Sequence, residues 1–524
     1  MYRLHRLTLA LTLTAVVAAA AFWPVTAAAA SALPSTNVAW MAAAADADIE
    51  RAFTRAKAEG KPVLLYWGAT WCPPCNQLKA TLFNRQDFAA QSKAFVAVHV
   101  DGDRPAAQKL GARFKVSGYP TLILFTASGS EITRLPGEAD APQVMALLQA
   151  GLAGGRPVAA VLADARAGKP VAANEWRMLS FHSWETDESG LVARADRPAV
   201  LAELASKSPP GDGETTTRLW LRALAASDEG KGVKPDAALR QRVERVLGDA
   251  ALSRTHKDVI ATGAADIVKV LTSEDGADRT ALAALADAAL ARLQADATLS
   301  RGDRVSALLS RIELARLGQA KDNTAPALPA PLVQEVRDTA ARMDREISDG
   351  YERQAVITAV AHMQGQAGLW ADSDALLKAN LAKSHSPYYL MSQLGSNARK
   401  LGRKEEALHW FGQAFDKSQG PATRLQWGAS YLNALVDLAP TDAPRIEKLA
   451  ARLFTEAAQD KAAFHERSAR SLQRVGKKLT SWNADGTHAA TLKRLQAQLD
   501  RLCAKVEASD GQRATCTAVL PRKA

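Results

Sequence analysis

The chain has 524 residues, 47% hydrophobic and 23% charged, with 32 glycines, 23 prolines and four cysteines. That composition excludes collagen, bulk disorder and a polytopic membrane protein, and the length, at roughly 150 residues per domain, implies about three folding units. The formal charge of +11 comes from basic and acidic residues interleaved along the chain, a solvated surface without the basic stripe that nucleic acid requires.

Residues 1–6 are short and basic, 7–22 are apolar apart from three threonines, and 27–32 offer several Ala-x-Ala sites. This is the pattern of a secretory signal peptide over 1–30, cleaved near Ala30. An uncleaved anchor is the alternative, but the apolar stretch is short for a bilayer and Pro24 interrupts it. No later stretch is apolar enough to span a membrane, so a periplasmic protein without a membrane span after cleavage is expected, in a compartment where thiols stay oxidised.

Residues 46–152 mix helix and strand signals. Ile49, Phe53 and Ala56 give 46–59 a helical spacing that Gly60 and Pro62 end. The apolar run 63–67 reads as a strand buried on both faces. Trp71-Cys72-Pro73-Pro74-Cys75 follows, then a helix over 77–83. A second buried strand at 95–100 leads through Asp101-Gly102-Asp103, read as a strand-to-helix turn, to a helix at 106–114. Strands at 121–125 and 131–135 flank a Ser128-Gly129-Ser130 turn, and 142–150 closes the unit as a helix. The expectation is a mixed α/β sheet covered by helices.

After Gly154-Gly155 helical spacing takes over, as at Leu282, Leu285, Ala289 and Leu293 behind Asp278, a candidate cap. Breaks at Ser208-Pro209-Pro210-Gly211 and at 326–331 suggest helical regions over 153–325 and 332–524. Leu394-Gly395, Ala407, Phe411 and Ala414, with Gly402 at the turn, have the offsets of a tetratricopeptide repeat. Ala375 and Ala382 fall 32 residues before Ala407 and Ala414, although Met391 holds the first aromatic position and Trp370 replaces the turn glycine. The hairpins near 355–440 therefore resemble tetratricopeptide-type repeats, with an irregular helical bundle as the alternative. Either would supply a binding surface rather than chemistry.

Cys72-x-x-Cys75 between a buried strand and a helix is the feature that carries chemistry. The spacing sets the first sulfur at the helix start, where free amides and the dipole favour a thiolate, and the second one turn in. Cys72 is the expected nucleophile and Cys75 the resolving thiol, with Pro74 tolerated early in the helix. Zinc or a static disulfide are the competing readings. Zinc wants four ligands, whereas His99 stands alone as a strand-end side chain and no second Cys-x-x-Cys lies near. Attached haem would need a histidine where Asn76 stands. No glycine-rich phosphate loop occurs, so neither cofactor nor metal is expected.

The Trp-Cys-x-x-Cys motif after an apolar strand, with Gly118-Tyr119-Pro120-Thr121 before the third strand, makes 46–152 resemble a thioredoxin fold, about a fifth of the chain. The resemblance implies that Pro120 is a cis-proline facing the cysteines, that Tyr119 helps set specificity, and that Trp71 and the Tyr119-Pro120 loop hold the substrate strand. In one respect the chain departs from thioredoxins: Tyr66 stands where they carry a buried acid six residues before the nucleophile. The Lys61-Pro62-Val63 lead-in and the Gly129 turn look closer to secreted thioredoxin-like domains.

Cys503 and Cys516 flank a Ser509-Asp510-Gly511 turn beyond a helix near 487–507. They read as a structural disulfide pinning the tail, or alternatively as a second redox pair relaying electrons to the first. The sequence thus leads to an extracytoplasmic thiol–disulfide oxidoreductase acting on client proteins with cysteines or disulfides. An upstream thiol–disulfide electron donor or acceptor would serve it, and the helical region would recruit clients. A helical-repeat assembly protein with a vestigial thioredoxin domain is the rival, and the direction of exchange, reductase against oxidase or isomerase, stays open.

Overall fold

A computed structural model describes residues 38–521 other than 138–139, 185–189, 210–212, 229 and 274–275. Residues 1–30, expected to be a signal peptide, and Pro210-Gly211 lie outside the described residues. The apolar runs form one five-stranded sheet in the order β1 (Met41–Ala43), β3 (Val96–Asp101), β2 (Val63–Gly68), β4 (Thr121–Phe125), β5 (Glu131–Leu135). Strands β1 and β2 run parallel to β3, and β4 is antiparallel to β2 and β5. Alternation along β2 divides the core. Val63, Leu65 and Trp67 pack with α1 (Asp46–Glu59) and α4 (Ala107–Phe114). Leu64 and Tyr66 pack with α2 (Pro73–Leu78), α3 (Gln86–Gln91) and α5 (Ala141–Leu152). Burying each large aliphatic side chain contributes about 1.5–3 kcal/mol, which is why so short a set of strands holds both layers.

Gly60 ends α1 with φ 64, a left-handed conformation that glycine adopts without a Cβ penalty. Two elements carry no local signal: α3, and the three-residue β1, placed by its pairing from Met41↔Val98 to Ala43↔Val100. The helix expected over 77–83 begins earlier, at Pro73, and widens into a π-helical turn over Lys79–Phe83.

Beyond Leu152 every described regular element is helical. The Ala173–Phe181 helix returns to the sheet and adds Met178 and Phe181 to the core beside Leu124 and Ile132. Further cores are built from residues 158–314, 305–394 and 388–520. Leu282, Ala289 and Leu293 are buried in the first with Leu285 at its edge. Asp278 is not the cap: Gly276 takes that position, and Asp278 instead accepts from Arg240 at 2.9 Å.

The Gly350–Gln366 and Trp370–Asn380 helices form one hairpin, and Pro387–Lys400 and Lys404–Lys417 the next. Their turns hold Gly368 (φ 78) and Gly402 (φ 71), 34 residues apart. At that offset the buried Val360, Ala361, Ser373, Leu377 and Asn380 match the buried Leu394, Gly395, Ala407, Phe411 and Ala414. The 32-residue offset does not hold, because Ala375 and Ala382 are exposed and Trp370 begins a helix two residues after the turn glycine. Alanine is so frequent on these faces that it matches at several offsets, whereas the turn glycine fixes one.

Candidate active site

Strand β2 ends at Gly68, and the chain turns through Trp71 into α2. Cys72 is the N-cap residue, its Sγ accepting the Cys75 N–H at 3.2 Å, and Pro73 and Pro74 fill the first turn, where no helical donor is lost. Cys72 and Cys75 are joined as a disulfide with Cα atoms 5.2 Å apart. Buried Asn76 holds the loop by donating from Nδ2 to the carbonyls of Thr70 and Cys72, both at 2.8 Å. Trp71 and Tyr119 pack against the Ala69, Cys72 and Cys75 cluster. The Tyr119–Pro120 peptide bond is cis, and Pro120 is buried.

Trp71 and Tyr119, expected to hold a substrate strand, are half-buried against the chain's own helices. The Trp71 indole donates to Asp103 Oδ2 at 2.7 Å and to Thr423 Oγ1 at 2.8 Å. Its ring stacks on Tyr389 with centroids 5.9 Å apart and meets Trp427 edge-on at 6.1 Å. Arg467, from the Glu466–Trp482 helix, pairs with Asp103 and lies 5.2 Å and 5.1 Å from the Trp71 and Tyr119 ring centroids. Its backbone N–H donates to Gln108 Oε1 at 2.9 Å, and Gln108 Nε2 donates to the Gly102 carbonyl and the Tyr119 hydroxyl. A Cβ on Gly102 would collide with that hydroxyl and with the Trp67 indole, so the approach requires glycine. Gln354 Nε2 donates to the Trp71 carbonyl at 3.3 Å. Cys72 is consequently 2% exposed and Cys75 0%. Asp101-Gly102-Asp103 is a turn, as expected, but Asp103 is also where the two parts of the molecule meet. Burial pushes its carboxyl above the usual range, against the pull of Arg467.

Tyr66 stacks on His99 with centroids 4.9 Å apart, so His99 is a buried mid-strand residue rather than a strand-end side chain. The Tyr66 hydroxyl is buried with no hydrogen-bond partner among the described residues, and burial, reinforced by Asp101, raises its pKa. Burial drives His99 down to about 3, with Lys79 and Arg104 acting in the same direction. Neither ring passes protons near neutrality. Lys79 is buried behind the motif, 4.9 Å from the Tyr351 ring centroid, and burial lowers its pKa against the pull of Asp101.

Residues 49–152 match the family model of the thioredoxin-like domain. These residues form a thioredoxin-like domain. The chain is 34% identical over 120 residues to thiol:disulfide interchange protein DsbD 2 of Pseudomonas aeruginosa, covering 22% of this chain and 20% of that protein. Similarity to DsbD 1 of the same organism is 31% over 112 residues, 21% and 19% of the two chains. The chain spans about a fifth of the length of these curated relatives. A thioredoxin from Thermus thermophilus in solution is 24% identical, covering 22% of this chain and 86% of that one, with a TM-score of 0.19.

Outside the thioredoxin-like domain, Cys503 and Cys516 form a disulfide, Cα atoms 5.6 Å apart, between the Ala489–Cys503 and Gln512–Thr517 helices. Both are buried in the 388–520 core. Among the described residues no three His, Cys, Asp or Glu side chains gather as metal ligands, and no helix is long and apolar enough to cross a membrane. Asn76 and Asp103 occupy positions next to features the sequence singles out. Thr423 and Arg467, 352 and 364 residues from their partners, have no local signal.

Proposed function

We propose that the protein is an extracytoplasmic thiol–disulfide oxidoreductase acting on protein cysteines. The observation that carries this reading is the Cys72–Cys75 pair at the start of α2 in a thioredoxin-like domain, packed against Trp71 and the residue before a cis-proline. The names of the curated relatives, thiol:disulfide interchange proteins, support the same chemistry. In the reducing direction the Cys72 thiolate attacks a client disulfide, whose S–S bond breaks as a mixed disulfide forms. Cys75 then attacks the Cys72 sulfur, freeing the second client thiol and closing the Cys72–Cys75 bond. Two electrons and two protons pass to the client, and an upstream dithiol restores the pair; the oxidising direction reverses each step.

In this reading residues 1–30 direct export to the periplasm, 46–152 is the catalytic unit and Cys503–Cys516 pins the tail. The helical regions, 153–325 and 332–524, engage clients, and the 34-residue spacing of the two hairpins, the length of a tetratricopeptide unit, supports a binding role there. With dithiothreitol as donor, wild type should reduce insulin disulfides and Cys72→Ser should not; equal rates overturn the assignment. Cys75→Ser should accumulate mixed disulfides whose partners mass spectrometry identifies.

A second reading, a helical assembly protein in which the pair is only a staple, is favoured by the 2% exposure of Cys72. The reduction potential separates the two, since a structural disulfide lies below about −300 mV and exchange-active pairs of this fold lie between about −270 and −120 mV.

A further inference from the structure

Cys72 lies at the edge of a cavity of about 670 Å3 bounded by Trp71, Tyr119, Tyr389 and one face of the Glu466–Trp482 helix. Arg467, Arg470, Arg474 and Lys477 line it from that face, and among the described residues no carboxylate does. Two of these cations are matched. Arg467 pairs with Asp103, and Arg470 pairs with Glu466 at 2.7 Å and donates to the Ser117 carbonyl at 2.9 Å. Arg474 bonds only the Ser471 hydroxyl, at 3.1 Å, and neither it nor Lys477 forms an ion pair among the described residues. Like charges one turn apart on a helix repel. The adjacent Arg474 and Lys477, beside the Cys72 sulfur, are therefore not explained by ion pairing within the fold.

We infer that this cavity receives an extended, acidic, cysteine-bearing peptide segment, its carboxylates along Arg474 and Lys477 and its sulfur at Cys72. The inference rests on the exchange chemistry proposed above. Because Cys72 is 2% exposed, what reaches it must be thin. From Arg467, which lies over Trp71, the helix rises about 10 Å to Arg474 and about 15 Å to Lys477. Extended chain covers those distances in about three to five residues, which places the acids that far from the reacting cysteine. With the pair in the disulfide form, a peptide thiolate attacks Cys72 Sγ, the Cys72–Cys75 bond breaks, and Cys75 leaves as a thiolate. The second peptide thiol then displaces Cys72. The peptide dithiol gives up two electrons and two protons to form its disulfide, the enzyme disulfide takes them up as two thiols, and a single turnover needs no other oxidant.

Single-turnover exchange between the full-length oxidised protein and paired synthetic dithiol peptides tests this. The peptides differ only in carrying Glu or Lys three to five residues from the cysteine, and Cys72 adducts are followed by mass spectrometry. The Glu peptide should exchange about tenfold faster at low ionic strength, with the advantage shrinking as salt rises. Arg474→Glu/Lys477→Glu should reverse the order, and Arg474→Gln/Lys477→Gln, which introduces no repulsion, should abolish it; both side chains changed are exposed. Equal rates for the two wild-type peptides, or a Glu preference that survives both variants, overturns the inference. The exchange reading survives that result if neutral dithiothreitol still opens the Cys72–Cys75 bond, and falls if no thiol does.

Discussion

Arg467 and Asp103, 364 residues apart in the chain, form an ion pair beside the Trp71 indole, each side chain 12% exposed. Removing one partner of so buried a pair leaves the other charge without compensation, a loss of about 3–5 kcal/mol, whereas removing both costs much less. Asp103→Asn and Arg467→Met should each destabilise by that order, and the double variant by well under the sum. Urea unfolding across the four proteins measures the coupling; additive losses would dissolve the pair as a unit.

The same network covers the Cys72 sulfur, which is 2% exposed. After mild reduction, iodoacetamide should label Cys72 readily and a polyethylene-glycol maleimide slowly, because the cover of Tyr389, Trp427 and Arg467 admits small reagents first. Tyr389→Ala removes the stacked partner of Trp71, and each ~1.4 kcal/mol taken from the closing free energy should speed the bulky reagent about tenfold. Unchanged labelling in that variant would mean the cover does not gate the site.

Acid should weaken the fold through its buried imidazoles. His99 is held neutral down to about pH 3 and His256, also by burial, down to about pH 4. Unfolded, each takes up a proton near pH 6.5, so their contribution is full above that value and is lost as pH falls, by about 1.4 kcal/mol per pH unit for each proton. His99→Phe, which keeps a ring against Tyr66, should flatten the decline between pH 6.5 and 4; a parallel stability profile would refute the assignment.

The tail offers a steric test. A Cβ on Gly476 would fall on the Val519 carbonyl, a backbone atom that can yield only if the C-terminal segment moves. Gly476→Ala should therefore cost about 1–3 kcal/mol and open the tail to limited proteolysis. Replacing Cys503 and Cys516 by alanine, which frees a loop with a sequence separation of 13, should cost about 3 kcal/mol in thermal unfolding.

The thioredoxin-like sheet was legible because its signals are local: the apolar run at β2, the glycine stop at Gly60, the turn at Gly129. Cys72 and Cys75 were legible for the same reason, as were Tyr119 and Pro120 by motif. β1 was not, since three ordinary residues are ordered by pairing with β3 rather than by their own pattern. Asp103 looked like an ordinary turn acid because everything that gives it a role, Trp71, Thr423 and Arg467, reaches it through tertiary structure. Trp427 carries no local signal either, since its contact with Trp71 is made across the tertiary fold. The hairpin spacing is set by the turn glycines Gly368 and Gly402, a signal that frequent small residues on the helix faces obscure.

The stack of Tyr389 on Trp71 makes the C-terminal helices a ligand tethered to its own receptor. A tether keeps such a ligand at high effective concentration whatever the protein's abundance. In the exchange reading proposed above, a broad client surface would have to outcompete that resident ligand before its sulfur met Cys72, and dilution would not help it. On that reading, discrimination among clients precedes any thiol chemistry and is adjustable by substitutions hundreds of residues from the cysteines.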